Sequence, residues 1–182
     1  MPEKDDSRTD AELVAAVNGG DWTAFDRLFH RYRDWALRLA WRFTQDENDA
    51  HDALQETFIY LAKKLRTGLE LRAGMTTLLY PAVKHTALAI RRKRRRQESL
   101  DEEIQIPAKE VANSAVDREQ LADALRLLSD AHREVVLMRF VDEMTLEEIA
   151  HALAVPLGTA KTRLHHALKN LRDDPRLKHW LE

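Results

Sequence analysis

Residues 145–171 read TLEEIAHALAVPLGTAKTRLHHALKNL and contain two amphipathic helix patterns separated by a short break at 154–156. The first pattern begins at a capping box, because the hydroxyl of Thr145 and the carboxylate of Glu148 have the spacing that satisfies two backbone N–H groups. The second pattern follows Pro156 and repeats apolar residues every three or four positions. Two short helices joined by so short a turn are typical of the helix-turn-helix, whose second helix enters the DNA major groove.

The second helix of this pair is predicted to have a packed face and a DNA-facing surface. The packed face comprises Ala160, Leu164, Ala167, Leu168 and Leu171. The candidate DNA-binding residues are Gly158, Thr159, Lys161, Thr162, Arg163, His165 and His166. Gly158 permits close approach of the backbone to a phosphate, while Lys161 and Arg163 can donate to guanine edges or to phosphates. An ordinary helical hairpin with a charged face is the alternative for the helix pair alone.

Four further helices are predicted in the N-terminal half. They begin near Asp10, after Asp21, at Asp46 and at Met75. Gly19-Gly20 and Thr67-Gly68 are the stop signals of the first and third helices. Pro81 lies inside the fourth helical pattern, so we expect either a kink or a helix that begins near Tyr80.

Positive charge is concentrated in one part of the chain. The formal net charge is −2, but residues 66–97 contain nine Lys or Arg residues and one acidic residue. The centre of this region is a run of six cations, Arg91, Arg92, Lys93, Arg94, Arg95 and Arg96. Their mutual repulsion is unfavourable unless a polyanion neutralises it, which favours nucleic acid as a partner. A solvated basic face is the alternative.

The composition of residues 98–118 is typical of a linker, since this stretch is acidic, contains Pro107 and has no sustained apolar period. We therefore predict an all-α chain of two helical domains joined by a flexible linker, with the helix-turn-helix in the C-terminal domain. The predicted boundaries are 10–97 for the first domain, 98–118 for the linker and 119–173 for the second domain.

Several classes of protein are disfavoured by the sequence. The absence of Cys excludes disulfides and Cys-containing metal sites, and the eight His residues are scattered, so we expect no metal and no cofactor. We expect no catalytic residues and no enzyme, because the sequence has no Gly-rich phosphate loop and no serine nucleophile elbow. Without a long apolar run or a signal-peptide pattern, we expect a cytoplasmic protein that does not insert into a membrane.

Both halves of the sequence contain motifs that resemble one family, the bacterial sigma factors. A pattern of the type EIA-x-x-L-x-x-P/S-x-G-T-V-K-S-R-L-H-R-A recurs in the C-terminal domain of that family. The matching residues are Glu148-Ile149-Ala150, Leu153, Gly158-Thr159, Lys161 and Arg163-Leu164-His165. Residues 49–58, DAHDALQETF, are similar to the D-A-E-D-L-x-Q-E-x-F helix of the N-terminal domain. Two such domains around a short acidic linker resemble the extracytoplasmic-function (ECF) group.

The resemblance implies a transcription initiation factor with three binding surfaces. The first would dock on the β′ clamp helices of core RNA polymerase through four residues expected on or near a solvated helix face, Asp49, Asp52, Gln55 and Glu56. The second would capture the unstacked strand of the −10 element and hold its phosphates through Arg72, Thr76, Tyr80, Lys84, His85 and the six cations. The helix that follows Pro156 would read the −35 element. The polymerase β subunit and an anti-sigma protein are further partners that the family implies.

The chain departs from the family pattern at four positions. Leu78 stands where Trp is usual, His85 stands where Asn is usual, Pro81 has no counterpart, and Ala154 occupies a place often held by Gly. Ala154 is therefore expected to adopt ordinary right-handed geometry or to be strained. Two alternatives stay open: a helix-turn-helix regulator with an N-terminal sensing module, and a degenerate sigma-like protein that binds polymerase without opening DNA.

Overall fold

The computed structural model describes residues 7–71, 73–98 and 123–174, except for the side chains of residues 97 and 98. Helices joined by short turns make up this part of the chain, which contains no strand. The helices are α1 (Asp10–Asn18), α2 (Trp22–Thr44), α3 (Glu47–Arg66), α4 (Met75–Glu98), α5 (123–127), α6 (Asp130–Phe140), α7 (Leu146–Ala152) and α8 (Leu157–Asp173). The all-α prediction is confirmed. The chain divides into two compact units between Glu102 and Glu103.

The N-terminal unit is built on the mutual packing of α2, α3 and α4, with α1 against α2 and α3. Each helix contributes a stripe of apolar residues at helical spacing, which is buried because it removes hydrocarbon from water. Among the residues at or below 1% exposure are Leu13, Leu28, Leu39, Leu61, Leu65, Leu79 and Val83.

Local capping signals determine where these helices begin. The Thr9 hydroxyl accepts a hydrogen bond from the Glu12 N–H, and the Glu12 carboxylate accepts one from the Thr9 N–H at 2.7 Å, which completes a capping box. Asp46 caps α3 by accepting from the Asp49 N–H at 3.0 Å. The predicted starts of the first and third helices are confirmed, and α3 ends at Thr67 as expected.

Pro81 lies inside α4, which is a single helix from Met75 onward. The expectation of a helix that begins near Tyr80 is therefore wrong. Proline cannot donate to the carbonyl of Thr77, so the first turns of α4 lose one helical hydrogen bond. Burial compensates for this loss, since the accessible surface of Met75, Leu79 and Tyr80 is only 1% of its fully exposed value. Tertiary packing holds the segment before the proline in helical geometry.

In the C-terminal unit, α6 and α7 pack against α8 and against each other. Its fully buried residues include Val135, Met138, Ile149, Ala160 and Ala167. Leu168, which the sequence placed on the packed face, is 36% exposed, so that prediction is wrong. The packed face is centred on Ala160 and Ala167, and Leu168 lies about 100° around the helix from Ala167. Residues 99–122, including nearly all of the predicted linker, lie outside the described residues.

The turn between α7 and α8 contains a left-handed residue, Ala154, with φ of 52°. The helix end closes on this turn through the N–H of Ala154, which donates to His151 O, and the N–H of Val155, which donates to Ala150 O at 3.0 Å. A residue with a Cβ atom pays about 1–2 kcal/mol for left-handed geometry. Of the two conformations left open for Ala154, the strained one is found.

Ala154→Gly is expected to stabilise the C-terminal unit by about 0.5–1 kcal/mol, because glycine adopts positive φ without a steric penalty and loses only part of the gain to chain entropy. Chemical denaturation of the full chain, followed through a probe in the C-terminal unit, measures the change. Ala152→Gly is the matched control: this residue lies within α7, where glycine destabilises by about 1 kcal/mol. Equal destabilisation by both substitutions would contradict the strain argument.

Candidate functional site

The solvent side of α3 exposes polar and apolar residues side by side. Asp52, Gln55 and Glu56 are exposed, as expected from the sequence. Ile59 is 54% exposed and lies on the same side of the helix, four residues after Gln55 and three after Glu56. We call these four residues the α3 face. Ile59 was missed because an apolar residue in an amphipathic helix is normally assigned to the core. Its angular position around the helix, compared with the buried Leu54, Phe58 and Leu61, places it on the outer side.

Asp49 does not belong to the α3 face. Its side chain is 15% exposed, and its carboxylate lies 3.3 Å from Nη1 of Arg94 in α4. The same Nη1 lies 2.5 Å from the carboxylate of Asp46. The hydrogen bond from the Asp49 N–H and the nearby Arg94 guanidinium hold the pKa of Asp46 below its ordinary value. The expectation that Asp49 is solvated with its neighbours is wrong, because the first turn of α3 faces the C-terminal part of α4.

The six consecutive cations of α4 have different environments. Arg91 donates from Nη1 to the carbonyl of Phe43 at 2.8 Å, and Arg94 is held by two carboxylates. Six consecutive residues surround a helix, so some of them must face the unit that the helix packs against. The more exposed cations are Arg92, Lys93, Arg95 and Arg96. The repulsion that seemed to require a polyanion is thus partly relieved within the chain.

The structure also divides the candidate strand-binding residues at the start of α4. Tyr80 is only 1% exposed and its ring packs edge-to-face on Phe43, so little of its side chain is accessible to a DNA strand. Lys84 is half-buried, with its ammonium 5.8 Å from the centre of the same Phe43 ring. Thr76 is half-buried and His85 is exposed. Arg72 lies outside the described residues.

A groove of about 430 Å³ lies between α3 and α4. It is lined by Glu56, Tyr60, Leu78, Pro81, Ala82, His85 and Thr86. The groove brings His85 together with Glu56 of the α3 face. It also contains Tyr60, which sequence reasoning missed and which is 43% exposed, with the Lys64 ammonium 5.5 Å from its ring centre. An exposed aromatic ring beside a cation is a surface on which a nucleic-acid base can stack.

The helix-turn-helix prediction corresponds to α7 and α8, and the N-terminal end of α8 is open. Thr145 and Glu148 form the expected capping box at the start of α7. By contrast, no side chain caps α8, whose N-cap position is Pro156. A Cβ atom built at Gly158 would meet nothing within 4 Å, so the backbone there is accessible. The partial positive charge of a helix N-terminus favours an anion such as phosphate at this position.

The polar residues of α8 have different environments. Gly158, Lys161, Thr162, His165 and His166 are exposed, whereas Thr159 and Arg163 are half-buried. Arg163 follows Ala160 by three residues, so it lies at the edge of the packed face, in agreement with its partial burial. His166 stacks on His132 of α6 at 6.3 Å between ring centres and contacts the edge of His165. The exposed set and Arg163 together form a polar surface along the first half of α8.

Within the described ranges, no helix has the length and hydropathy needed to cross a membrane. The same part of the chain contains no group of three or more His, Asp or Glu side chains arranged to hold a metal ion.

Comparison with known proteins identifies two family models along the chain. The model described as "Sigma-70 region 2" matches residues 28–97, and that described as "Sigma-70, region 4" matches residues 124–173. The chain is 28% identical over 174 residues to the ECF RNA polymerase sigma factor SigW of Bacillus subtilis strain 168, covering 87% of this chain and 92% of the relative. It is 30% identical over 156 residues to the RNA polymerase sigma-E factor of Streptomyces coelicolor, covering 85% and 88%.

The fold is also similar to that of a solved structure. The sigma factor RpoE, in a co-crystal structure with the anti-sigma factor NepR from Bartonella quintana, superimposes with a TM-score of 0.61. The alignment covers 85% of this chain and 96% of that chain at 20% sequence identity. At this identity the similarity concerns the fold.

Proposed function

Because the chain belongs to the sigma-70 family of RNA polymerase sigma factors, in its ECF group, we propose that it is a transcription initiation factor that directs core RNA polymerase to specific promoters. The observation that carries this conclusion is the presence of both regions, in this order, in one chain. Sigma factors are non-catalytic, so the role of the chain is to bind polymerase and DNA. We place this activity in the cytoplasm, where polymerase and the chromosome are found.

The α3 face is the proposed contact with the polymerase β′ clamp helices. Its three polar residues, Asp52, Gln55 and Glu56, precede the exposed Ile59 on the same side of the helix, within the two turns before it. An exposed apolar side chain next to polar ones is typical of a protein interface, because it contributes buried hydrocarbon while the polar side chains supply hydrogen bonds. This composition supports a protein partner for the face in preference to solvent alone.

The first half of α8 is the proposed reader of the −35 element. The uncapped N-terminus and Gly158 give a phosphate access to backbone N–H groups, while Lys161, Thr162 and His165 extend from the exposed side. Residues in the N-terminal half of such a helix contact base edges, and the width of the major groove admits a helix. The half-buried Arg163 is the proposed base contact.

The groove between α3 and α4 is the proposed site for the separated strand of the −10 element. His85 and Tyr60 supply a donor and a stacking surface there, and the exposed cations of α4 attract the phosphates. Binding of the unstacked strand supplies the free energy for melting, so no nucleotide hydrolysis is involved.

A second candidate function is a sigma-like protein that binds polymerase without opening DNA. The specific observation that favours it is that Leu78, Pro81 and His85, which all depart from the family pattern, line the same groove. An anti-sigma partner is a further proposal, which the family resemblance supports.

Run-off transcription distinguishes these functions. Purified core polymerase from a related bacterium is incubated with genomic fragments, with and without the full chain, and the transcripts are sequenced. We expect new transcripts that begin at defined positions and share two upstream elements. Polymerase binding without new transcripts would support the second candidate, and absence of polymerase binding would refute both.

A further inference from the structure

Arg94 connects two helices to which the proposed function assigns different partners. Its Nη1 atom lies 2.5 Å from the carboxylate of Asp46 and 3.3 Å from that of Asp49. Asp46 is the N-cap of α3, and Asp49 is the residue whose N–H it caps. The guanidinium therefore ties the basic end of α4 to the first turn of the helix that carries the α3 face. We call Asp46, Asp49 and Arg94 the α3–α4 clasp.

We propose that the α3–α4 clasp is a positioning device, which sets the exposed cations of α4 relative to the α3 face and contacts neither polymerase nor DNA itself. The proposal rests on the proposed function, since it assumes that these two surfaces bind different partners. It reassigns Asp49 from polymerase binding, and Arg94 from DNA binding, to holding the two surfaces in one arrangement.

The environment of each residue supports this reassignment. Only 15% of the Asp49 side chain is exposed, which leaves little of the carboxylate for a large partner. A phosphate that approached Arg94 would compete with two carboxylates within 4 Å and would be repelled by them. The guanidinium stays charged at any accessible pH and is less strongly hydrated than an ammonium, so arginine suits a partly buried place between two carboxylates.

A neighbouring contact reinforces the clasp from the other side of the α2–α3 turn. Arg91, one helical turn before Arg94, donates to the Phe43 carbonyl at the end of α2. Between these two anchors, α2 ends at Gln45, a left-handed residue with φ of 58°. Both arginines thus hold α4 against the turn that orients α3. Arg92, Lys93, Arg95 and Arg96 are left as the cations that face solvent.

The test compares Arg94→Gln, Asp49→Asn and the double variant with Arg95→Gln, which removes an exposed cation one position along the same helix. Each full-length variant is assembled with core polymerase, and its affinity for a promoter fragment found by run-off transcription is measured over a salt series. The affinity of each variant for polymerase is measured separately, and thermal unfolding of the free chain is followed in parallel.

If the clasp positions α4, both clasp variants lower promoter affinity by about three- to tenfold, with an unchanged slope against log salt and an unchanged affinity for polymerase. The double variant is then no weaker than Arg94→Gln alone, because Arg94→Gln already removes both ion pairs, whereas Asp49→Asn leaves the pair with Asp46. Arg95→Gln is expected to reduce the slope by about 0.7–0.9, the value for one phosphate contact. The clasp variants also lower the unfolding midpoint of the N-terminal unit by about 2–4 °C.

Three outcomes would overturn the proposal. A reduced salt slope for Arg94→Gln would make Arg94 a phosphate ligand. A loss of polymerase affinity for Asp49→Asn would make Asp49 a docking residue. Additive losses of promoter affinity in the double variant would show that the two residues act separately. Failure of the proposed function itself looks different. If the unsubstituted chain gave no promoter binding with polymerase, thermal unfolding of the free chain would still test the clasp. Arg94→Gln and Asp49→Asn would each lower the unfolding midpoint, and the double variant would lower it by less than the sum of the two.

Discussion

Ile59→Arg is expected to lower the affinity of the chain for core RNA polymerase by about thirtyfold or more. The side chain is 54% exposed at the C-terminal end of the α3 face, one turn after Gln55 and Glu56. Burial of a positive charge in an interface without a partner costs free energy, and loss of an apolar anchor costs about 2 kcal/mol, which corresponds to about thirtyfold in affinity. A binding titration with labelled core polymerase measures the effect.

Ile59→Leu is the matched control at the same position, because it keeps an apolar side chain of equal volume and is expected to change affinity by less than threefold. Neither substitution should alter thermal unfolding, since the residue lies outside the core. If Ile59→Arg bound polymerase as tightly as the unsubstituted chain, the exposed isoleucine would be an ordinary surface residue and the polymerase contact would have to lie elsewhere.

The helix ends were predictable from sequence because short-range hydrogen bonds determine them. The capping boxes at Thr9 and Thr145 and the cap at Asp46 each involve residues within three positions of one another, so their spacing alone is informative. The same reasoning failed at Pro81. Its local preference was outweighed by the burial of Met75 and Leu79, which depends on helices distant in the sequence.

The composition of the candidate site was less predictable, since it depends on helix phase and on distant pairs. A rotation of one residue separates an inward from an outward position, which is why Leu168 was assigned to the core although it is exposed. Tyr80 was assigned to DNA by the family resemblance, which does not reveal that its side chain is buried. The pairing of Asp49 with Arg94 joins residues 45 positions apart and leaves no periodic signal. Sequence patterns identify which residue types are available, whereas the fold decides which of them are already engaged.

Substitutions on α8 are expected to separate base recognition from phosphate binding. Arg163→Ala should lower affinity for the −35 region of a promoter found by run-off transcription by about tenfold to a hundredfold, the 1–3 kcal/mol of a bidentate base contact. It should also relax the sequence preference at one position. Arg163 is half-buried at the edge of the packed face, and partial burial reduces the number of conformations open to its side chain, which favours specific contact.

Two lysines provide the comparison on the same helix. Lys161 and Lys169 are both exposed but lie two turns apart, and only Lys161 is in the N-terminal half that enters the groove. Lys161→Ala should weaken binding to all sequences alike and reduce the salt slope by about 0.9, while Lys169→Ala should change little. If Lys161→Ala and Lys169→Ala changed affinity and salt slope equally, α8 would lie along the DNA backbone and its first turns would not enter the groove.

Arg163→Lys then tests whether the role of Arg163 depends on its geometry or only on its charge. Lysine keeps the positive charge and most of the aliphatic part of the side chain, so folding and the salt slope should both be preserved. Thermal unfolding checks that folding is unchanged. It lacks the planar fork that pairs with the two acceptors of guanine, so the sequence preference at that one position should be relaxed while non-specific affinity is retained. If Arg163→Lys kept the full preference, the arginine would be a phosphate contact, and recognition of the −35 element would belong to the exposed residues beside it.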